Sequence, residues 1–435
     1  MNHASFILSQ GDVRLICDPW WKGLAFDGSW ALLSPSDMRA EDLSTVTHMW
    51  FSHEHPDHFS PPTLADIPPE IRRDIAVLYQ RTSDRKVLSY CRDLGFGRLV
   101  ELPPGEWHAL DEQVDVLNMP FSGGDSWLAV RMGEKVLLNL NDCVADTEEK
   151  IRAIRDRVGR VDVLLTQFSY ACWAGNPEDG LARRRLGQQK LERIRLQARI
   201  LKPRFVIPFA SFVWFCHEEN LYMNDEAVRV DVAADFVRRE TAASPVVLYP
   251  GDTWQLCEPH DNGAAIGRYL KDYERVRLSE PLTRSAPVPL SELEQHAARF
   301  AGQLAESRSS WLSRFAEPAR IYVTDHGLSL EFSLNGLHRR ERPRAECDLA
   351  LSSAALDYAF RFLWGGDTLN VNGRFACPSG GRPQRFMLYA GMASQINRGE
   401  ATPLRTLARA IVARGLRATP GVRGLYATVQ AARGR

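Results

Sequence analysis

His53-Glu54-His55-Pro56-Asp57-His58 brings three imidazoles and the Asp57 carboxylate within six residues, directly behind the apolar run His48-Met49-Trp50-Phe51-Ser52. Imidazole nitrogen and carboxylate oxygen are the donors that borderline-soft divalent metals and iron prefer. A strand over Val46–Ser52 that feeds a tight Pro-containing turn can aim all four side chains into one cleft, the context a buried metal site requires. A polar surface turn is the competing reading. With 11 His in 435 residues, three in six positions favour the site.

Further ligands to a buried metal usually come from other strand ends. Asp142 follows the apolar stretch Val136-Leu137-Leu138-Asn139-Leu140 in Asn141-Asp142-Cys143, where a carboxylate can bridge two metals, complete one, or simply shape a turn. His217 ends Phe212-Val213-Trp214-Phe215-Cys216-His217, and a lone His among aromatics is more often a core residue than a ligand.

The rest of the composition sets bounds. At 435 residues and 49.1 kDa the chain exceeds one typical core, so two domains are expected. Lys+Arg and Asp+Glu balance at 54 each, which argues against a general electrostatic nucleic-acid binder. No apolar run is long enough to span a membrane, and the N-terminus lacks the pattern of a signal peptide. Eight scattered Cys without a Cys-x-x-Cys or Cys-x-His pair argue against a disulfide framework and against an iron–sulfur cluster on this chain, and point to a cytoplasmic location.

Strand and helix signals alternate through residues 1–258, which suits a sheet layered by helices. Strands are expected at Ala4–Ser9, Val13–Cys17, Val161–Gln167, Phe205–Phe209 and Pro245–Tyr249, and a long helix at Arg183–Leu201. Residues 259–290 read as a linker, with Ser285-Ala286-Pro287-Val288-Pro289 inside it. Residues 291–435 read as a smaller α+β domain of unassigned role. In it a helix over Ser291–Ser313, a hairpin around Asp325-His326-Gly327, a strand over Glu346–Leu351, a helix over Ala354–Leu363 and a strand over Thr368–Arg374 are expected.

The cluster His53–His58, with a later Asp at a strand end and a later His, resembles the metallo-β-lactamase fold superfamily. The similarity extends toward the metal domain of the CMP-N-acetylneuraminate hydroxylases. It is carried by Asp18-Pro19-Trp20, Gly23-Leu24-Ala25-Phe26 through Trp30, Ser52–Ser60, Leu137–Cys143, Leu201–Phe209 with Ala210 and His217, and Pro250-Gly251. The resemblance covers roughly residues 4–256, and continues more weakly around Arg361–Phe375. It implies an α/β fold, a metallo-β-lactamase-like αββα sandwich followed by a smaller C-terminal α+β domain. It also implies one or two divalent metal ions, iron or zinc, with His53 and His55 at the first site, Asp57, His58 and His217 at the second, and Asp142 between them. The superfamily expects one more His before the Asp142 strand. Asn118-Met119-Pro120-Phe121-Ser122-Gly123-Gly124-Asp125-Ser126 has none, and leaves Asp125 as a substitute oxygen ligand. The resemblance implies a Rieske domain in the hydroxylases, and no such segment is expected among these residues.

Two activities are open at this stage. The first is a hydroxylase-like monooxygenase acting on an (amino)sugar-type small molecule, with electrons from a separate ferredoxin or Rieske-type partner. Lys22, Arg183, Arg184 and Lys202 are then candidate recognition groups, with solvated surface as their competing role. The second is a hydrolase of phosphodiesters, lactones or amides that uses a metal-bound hydroxide, with Asp57 or Asp142 orienting the nucleophile.

Overall fold

The computed structural model describes residues 2–306 and 317–399. Along the first part run β1 (Phe6–Gln10), β2 (Val13–Cys17), β3 (Trp30–Leu32), β4 (His48–Trp50), β5 (Ala76–Gln80) and β6 (Arg98–Leu102). Helices α1 (Pro61–Asp66), α2 (Pro69–Asp74) and α3 (Lys86–Asp93) interrupt them. Then follow β7 (Trp107–Ala109), β8 (Val114–Pro120), β9 (Ser126–Met132), β10 (Lys135–Asn139), α4 (Glu148–Val158), β11 (Val163–Gln167), α5 (Gly180–Leu201) and β12 (Phe205–Phe209). Elements β13 (Val213–Phe215), α6 (Val230–Glu240), β14 (Ser244–Pro245) and α7 (Gly263–Arg277) complete this unit.

Two sheets form, in the orders β1-β2-β4-β5-β6 and β14-β12-β11-β10-β9-β8-β7, and β3 pairs separately with β13. Strand alternation decides which faces meet. Leu15, Cys17, Trp50 and Leu78 of the first sheet share one core with Val116, Val130, Leu137, Leu165 and Ile207 of the second. Their neighbours Ile16, Met49 and Val77 point the other way, into a second core with Leu64, Val87 and Leu88 of α1 and α3. On the far face of the second sheet, Thr166 of β11 donates to Gln197 of α5 at 2.8 Å. This is the expected αββα sandwich. β4 is buried at every position, as a central parallel strand should be.

The topology gathers chain ends at one edge. β2, β4 and β5 are parallel neighbours, as are β10, β11 and β12, so Asp18, Ser52–His58, Asp142 and Ala210 all follow carboxyl ends of parallel strands. Such ends are where open α/β sheets bind ligands.

The second compact unit comprises residues 172–180, 217–223 and 281–435, of which 307–316 and 400–435 lie outside the described residues. It contains α8 (Leu290–Glu306), β15 (Ala319–Val323), β16 (Leu328–Ser333), β17 (Gly336–Arg340), β18 (Leu349–Leu351), α9 (Ser353–Arg361), α10 (Gly365–Asn372) and α11 (Gln384–Asn397), with sheet order β17-β16-β15-β18. Its core joins Phe300, Phe332, Leu356, Phe360 and Phe386. The expected end of the helix at Ser313 falls outside the described residues.

Three local expectations are corrected. Thr368–Arg374 is not a strand, because α10 runs through Gly365–Asn372. A Cβ on Gly365 would stand 2.3 Å from the Tyr358 carbonyl oxygen, and one on Gly366 2.2 Å from the Ala390 side chain. Close helix packing at these glycines overrides the β-branched pattern, and Gly373 ends the helix at φ 67°. Residues 259–290 are not wholly a linker, since they contain α7 with Tyr269 fully buried. The strand expected over Pro245–Tyr249 is confined to Ser244–Pro245. All eight cysteines are free thiols. Among the described residues, no helix is long and apolar enough to cross a membrane.

Candidate metal centre

The His loop is pinned at both ends. It leaves β4 at Trp50, and Ser60 caps α1 by accepting from the Thr63 amide at 3.4 Å, with Pro61 at the first helical position. Between them, Gln80 at the end of β5 donates to the carbonyls of Ser52 (3.2 Å) and Gly124 (2.6 Å). Ser126 donates to the same Ser52 carbonyl at 2.7 Å, so the Asp125 loop is fastened to the His loop.

Two sets of donors result, each with its atoms within 4.8 Å of one another: His53, His55 and Asp142, and His3, Asp57 and His58. His53 Nε2 stands 2.9 Å from His55 Nδ1, 3.9 Å from Asp142 Oδ2 and 4.0 Å from Asp125 Oδ1. His58 Nε2 stands 3.4 Å from Asp57 Oδ2 and 3.7 Å from the same Asp142 oxygen. Asp142 therefore faces both sets.

Asp18 and Ser52 orient the imidazoles. Asp18 is fully buried at φ 41°, and accepts from the Ser52 amide (2.7 Å), the Ser52 hydroxyl (2.8 Å) and His58 Nδ1 (2.9 Å). With its hydroxyl proton given to Asp18, Ser52 Oγ accepts from His53 Nδ1 at 2.9 Å. Both rings then carry their proton on Nδ1 and turn the Nε2 lone pair inward, the usual arrangement behind metal-bound histidine. Sequence reasoning used Asp18 only as part of a matching segment and gave it no role. Its place right after a strand that neighbours β4 was the available signal.

Burial opposes charge on these groups, but they resolve it differently. Desolvation pushes the Asp18 carboxyl up and holds His53 well below the usual imidazole range, with the His58 charge adding to the latter. Desolvation also opposes the His58 cation, yet Asp57, Asp142 and Asp18 outweigh it and lift its pKa to about 10. Asp57 and Asp142 stay below the ordinary carboxylate range despite burial, chiefly through His58. The surrounding carboxylates thus favour the protonated His58 ring.

The residues fit a metal. Asp57 Oδ1, His58 Nε2 and Asp142 Oδ1 are buried without a hydrogen-bond partner, which is costly unless something else satisfies them. Donors about 2.1 Å from one ion stand about 3.0 Å apart at a right angle and about 3.4 Å at a tetrahedral one. The 2.9 Å and 3.4 Å separations match. A ligand nitrogen must be unprotonated, so a metal bound by His58 would expel its proton. Below pH 10, metal affinity is expected to rise with pH, by up to about tenfold per unit. Cobalt(II) titrations across neutral pH check this, and a flat profile would contradict it.

His217, expected at the second site, is placed in the second unit with both nitrogens engaged. Its Nδ1 accepts from the Glu219 amide at 3.1 Å and its Nε2 donates to Ser285 Oγ at 3.0 Å. Burial and the Arg374 charge lower its pKa to about 4. Among the described residues, His217 is grouped with neither donor set. Three of the four candidate recognition groups are paired within the fold: Lys22 with Asp66, Arg183 with Asp225 and Arg184 with Glu226. His3 was not foreseen.

No family model matches the chain. Solved structures to which the chain is similar include CmlA, a diiron β-hydroxylase from Streptomyces venezuelae (TM-score 0.39, 18% identity, 56% of this chain and 51% of that one). The metallo-β-lactamase fold protein YhfI from Bacillus subtilis is another (TM-score 0.38, 10% identity, 58% and 92%). Among curated proteins, the chain is similar to a putative Rieske 2Fe-2S iron-sulfur protein of Mycobacterium tuberculosis, with 24% identity over 340 residues and 73% of this chain covered. It is also similar to the cytidine monophosphate-N-acetylneuraminic acid hydroxylase of Sus scrofa, with 25% identity over 288 residues and 62% of this chain covered. The chain spans 63% of the length of the mycobacterial protein and 62% of the hydroxylase.

Proposed function

We propose that this chain is a metal-dependent enzyme, and within that class a hydroxylase-type monooxygenase acting on an aminosugar-type substrate. The observation that carries the reading is the donor set itself. Where a zinc hydrolase of this fold would bring a third His to the first site, the position beside His53 Nε2 is taken by Asp125 at 4.0 Å, with Asp142 at 3.9 Å. A pocket of imidazoles and carboxylates suits iron, which can activate dioxygen when electrons are supplied. Similarity to the cytidine monophosphate-N-acetylneuraminic acid hydroxylases supports the substrate class.

His53, His55, Asp57, His58, Asp142 and Asp125 would hold the metal. Asp18 and Ser52 keep the ring protons of His53 and His58 away from it. Trp20, Phe26 and Trp30 are buried around the pocket, with Phe26 edge-on to His55 at 5.7 Å and Trp20 edge-on to His3 at 5.7 Å. Hydroxylation places one oxygen atom of O2 in a C–H bond and reduces the other to water, consuming two electrons and two protons. A separate ferredoxin or Rieske-type protein would supply the electrons, and the similarity to Rieske-named proteins supports such a donor.

Metal analysis of protein purified without added metal tests the reading, together with oxygen uptake on adding reductant and CMP-N-acetylneuraminate. Bound iron with substrate-dependent oxygen consumption is expected. Zinc or manganese, with turnover of a phosphodiester or lactone panel and no oxygen uptake, would sink it in favour of hydrolysis.

A further inference from the structure

Read from the sequence, the second metal site holds Asp57, His58 and a share of Asp142, and its remaining expected ligand, His217, is engaged elsewhere. We propose that His3 is the missing protein ligand, so that the centre is dinuclear and one of its ligands comes from the N-terminal segment. This assignment rests on the reading that the pocket holds metal.

The distances lead to it. His3 Nε2 lies 3.0 Å from Asp57 Oδ2, and that oxygen lies 3.4 Å from His58 Nε2. These are the spacings of donors on one ion at right-angled and tetrahedral positions, about 3.0 and 3.4 Å. The ring is 1% exposed, and its Nδ1 is buried without a hydrogen-bond partner. Burying an imidazole for one carboxylate contact is an expensive way to pin Asp57. Coordination through Nε2, with the ring proton on Nδ1, gives the buried ring a role beside two other donors.

The backbone around it is built to deliver the ring. Asn2 and Ser5 exchange amide-to-carbonyl bonds of 2.9 and 2.8 Å, which close a tight turn over His3 at φ 48°. That conformation is uncommon for a residue with a side chain and persists where the surroundings enforce it. Asn2 Nδ2 donates to the Ser34 carbonyl at 3.2 Å. The His3 carbonyl accepts from the Ala210 amide at 3.1 Å, and Ala210 itself sits at φ 46° just past β12. The N-terminal turn is therefore docked on the strand end from which a late histidine was expected. Two chain segments far apart in sequence compete for one position, and the N-terminal one fills it.

Metal-free protein titrated with cobalt(II), followed by visible absorption and by elemental analysis after desalting, tests the assignment without reference to turnover. Wild type is expected to take up about two equivalents. His3→Ala and His3→Gln should retain about one, the second weakened by more than about 100-fold, beyond the 10–100-fold of an outer-shell change. Added imidazole should restore the second equivalent in His3→Ala. His217→Ala should keep both. His3→Gln preserves a hydrogen-bond donor toward Asp57, so two equivalents with unchanged affinity in that variant would reduce His3 to a support for Asp57 and overturn the proposal. Loss of one equivalent in His217→Ala, or a single ion in wild type, would overturn it as well. Wild type that binds no metal would remove the underlying reading of the pocket, an outcome distinct from these.

Discussion

Asp142→Ala protein is expected to lose tight binding at both positions of the pocket, with affinity falling by more than about 100-fold. One oxygen, Asp142 Oδ2, stands 3.9 Å from His53 Nε2 and 3.7 Å from His58 Nε2, so a single substitution strips an anionic donor from two sites. Unit charges 4 Å apart near a protein surface interact by about 4 kcal/mol, and a shared carboxylate acts on each ion. The fold should survive. The turn is shaped by the Asn141 side chain, whose Oδ1 accepts from the Asp142 and Cys143 amides at 2.6 and 3.2 Å, and these bonds remain in the alanine variant. Metal-free Asp142→Ala should therefore melt close to wild type, while the rise in melting temperature on adding metal disappears. Wild-type metal content and affinity in this variant would refute the site.

Asp18→Asn carries the second large effect, through a residue that touches no metal. Its carboxylate accepts three bonds, from the Ser52 amide, the Ser52 hydroxyl and His58 Nδ1. An amide can accept at one end only. Its NH2 group would face either a ring N–H or a serine that must then turn, and the proton order that leaves both Nε2 lone pairs inward is lost. A fall of about 10–100-fold in metal affinity is expected, typical of outer-shell partners. A stability loss of about 1–3 kcal/mol should accompany it, because the site is wholly buried. Calorimetric metal titration and thermal melting measure the two effects separately. Unchanged affinity beside a lowered melting temperature would show that Asp18 supports the loop without setting the tautomers.

Much of this was legible in the chain. Three imidazoles and a carboxylate behind an apolar run are a local pattern, and the αββα layering follows from strands and helices whose periodicities are themselves local. Asp142 was legible for the same reason, a carboxylate one turn past a hydrophobic strand. His217 joins neither donor set, because adjacency to a strand end says nothing about which way the chain then goes. Here it leaves into the second unit, where Glu219 and Ser285 take both ring nitrogens. Gly365 and Gly366 misled likewise. They look like turn residues, but they let α10 approach the neighbouring backbone.

The sequence by itself determined the layered α/β architecture and the clustering of four candidate donors, His53, His55, Asp57 and His58, since these depend on contacts within a few residues. Only the tertiary structure decided how those donors divide, with His55 grouped with His53 and Asp142, and His58 with Asp57 and His3. It also brought Asp18 behind His58 and docked the N-terminal turn on Ala210. The physical reason is sequence distance. His3 and Asp57 are 54 residues apart, and Asp18 and His58 are 40 apart. Hydrophobic periodicity places a strand in its sheet, but the strand order of the two packed sheets determines which loops share an edge.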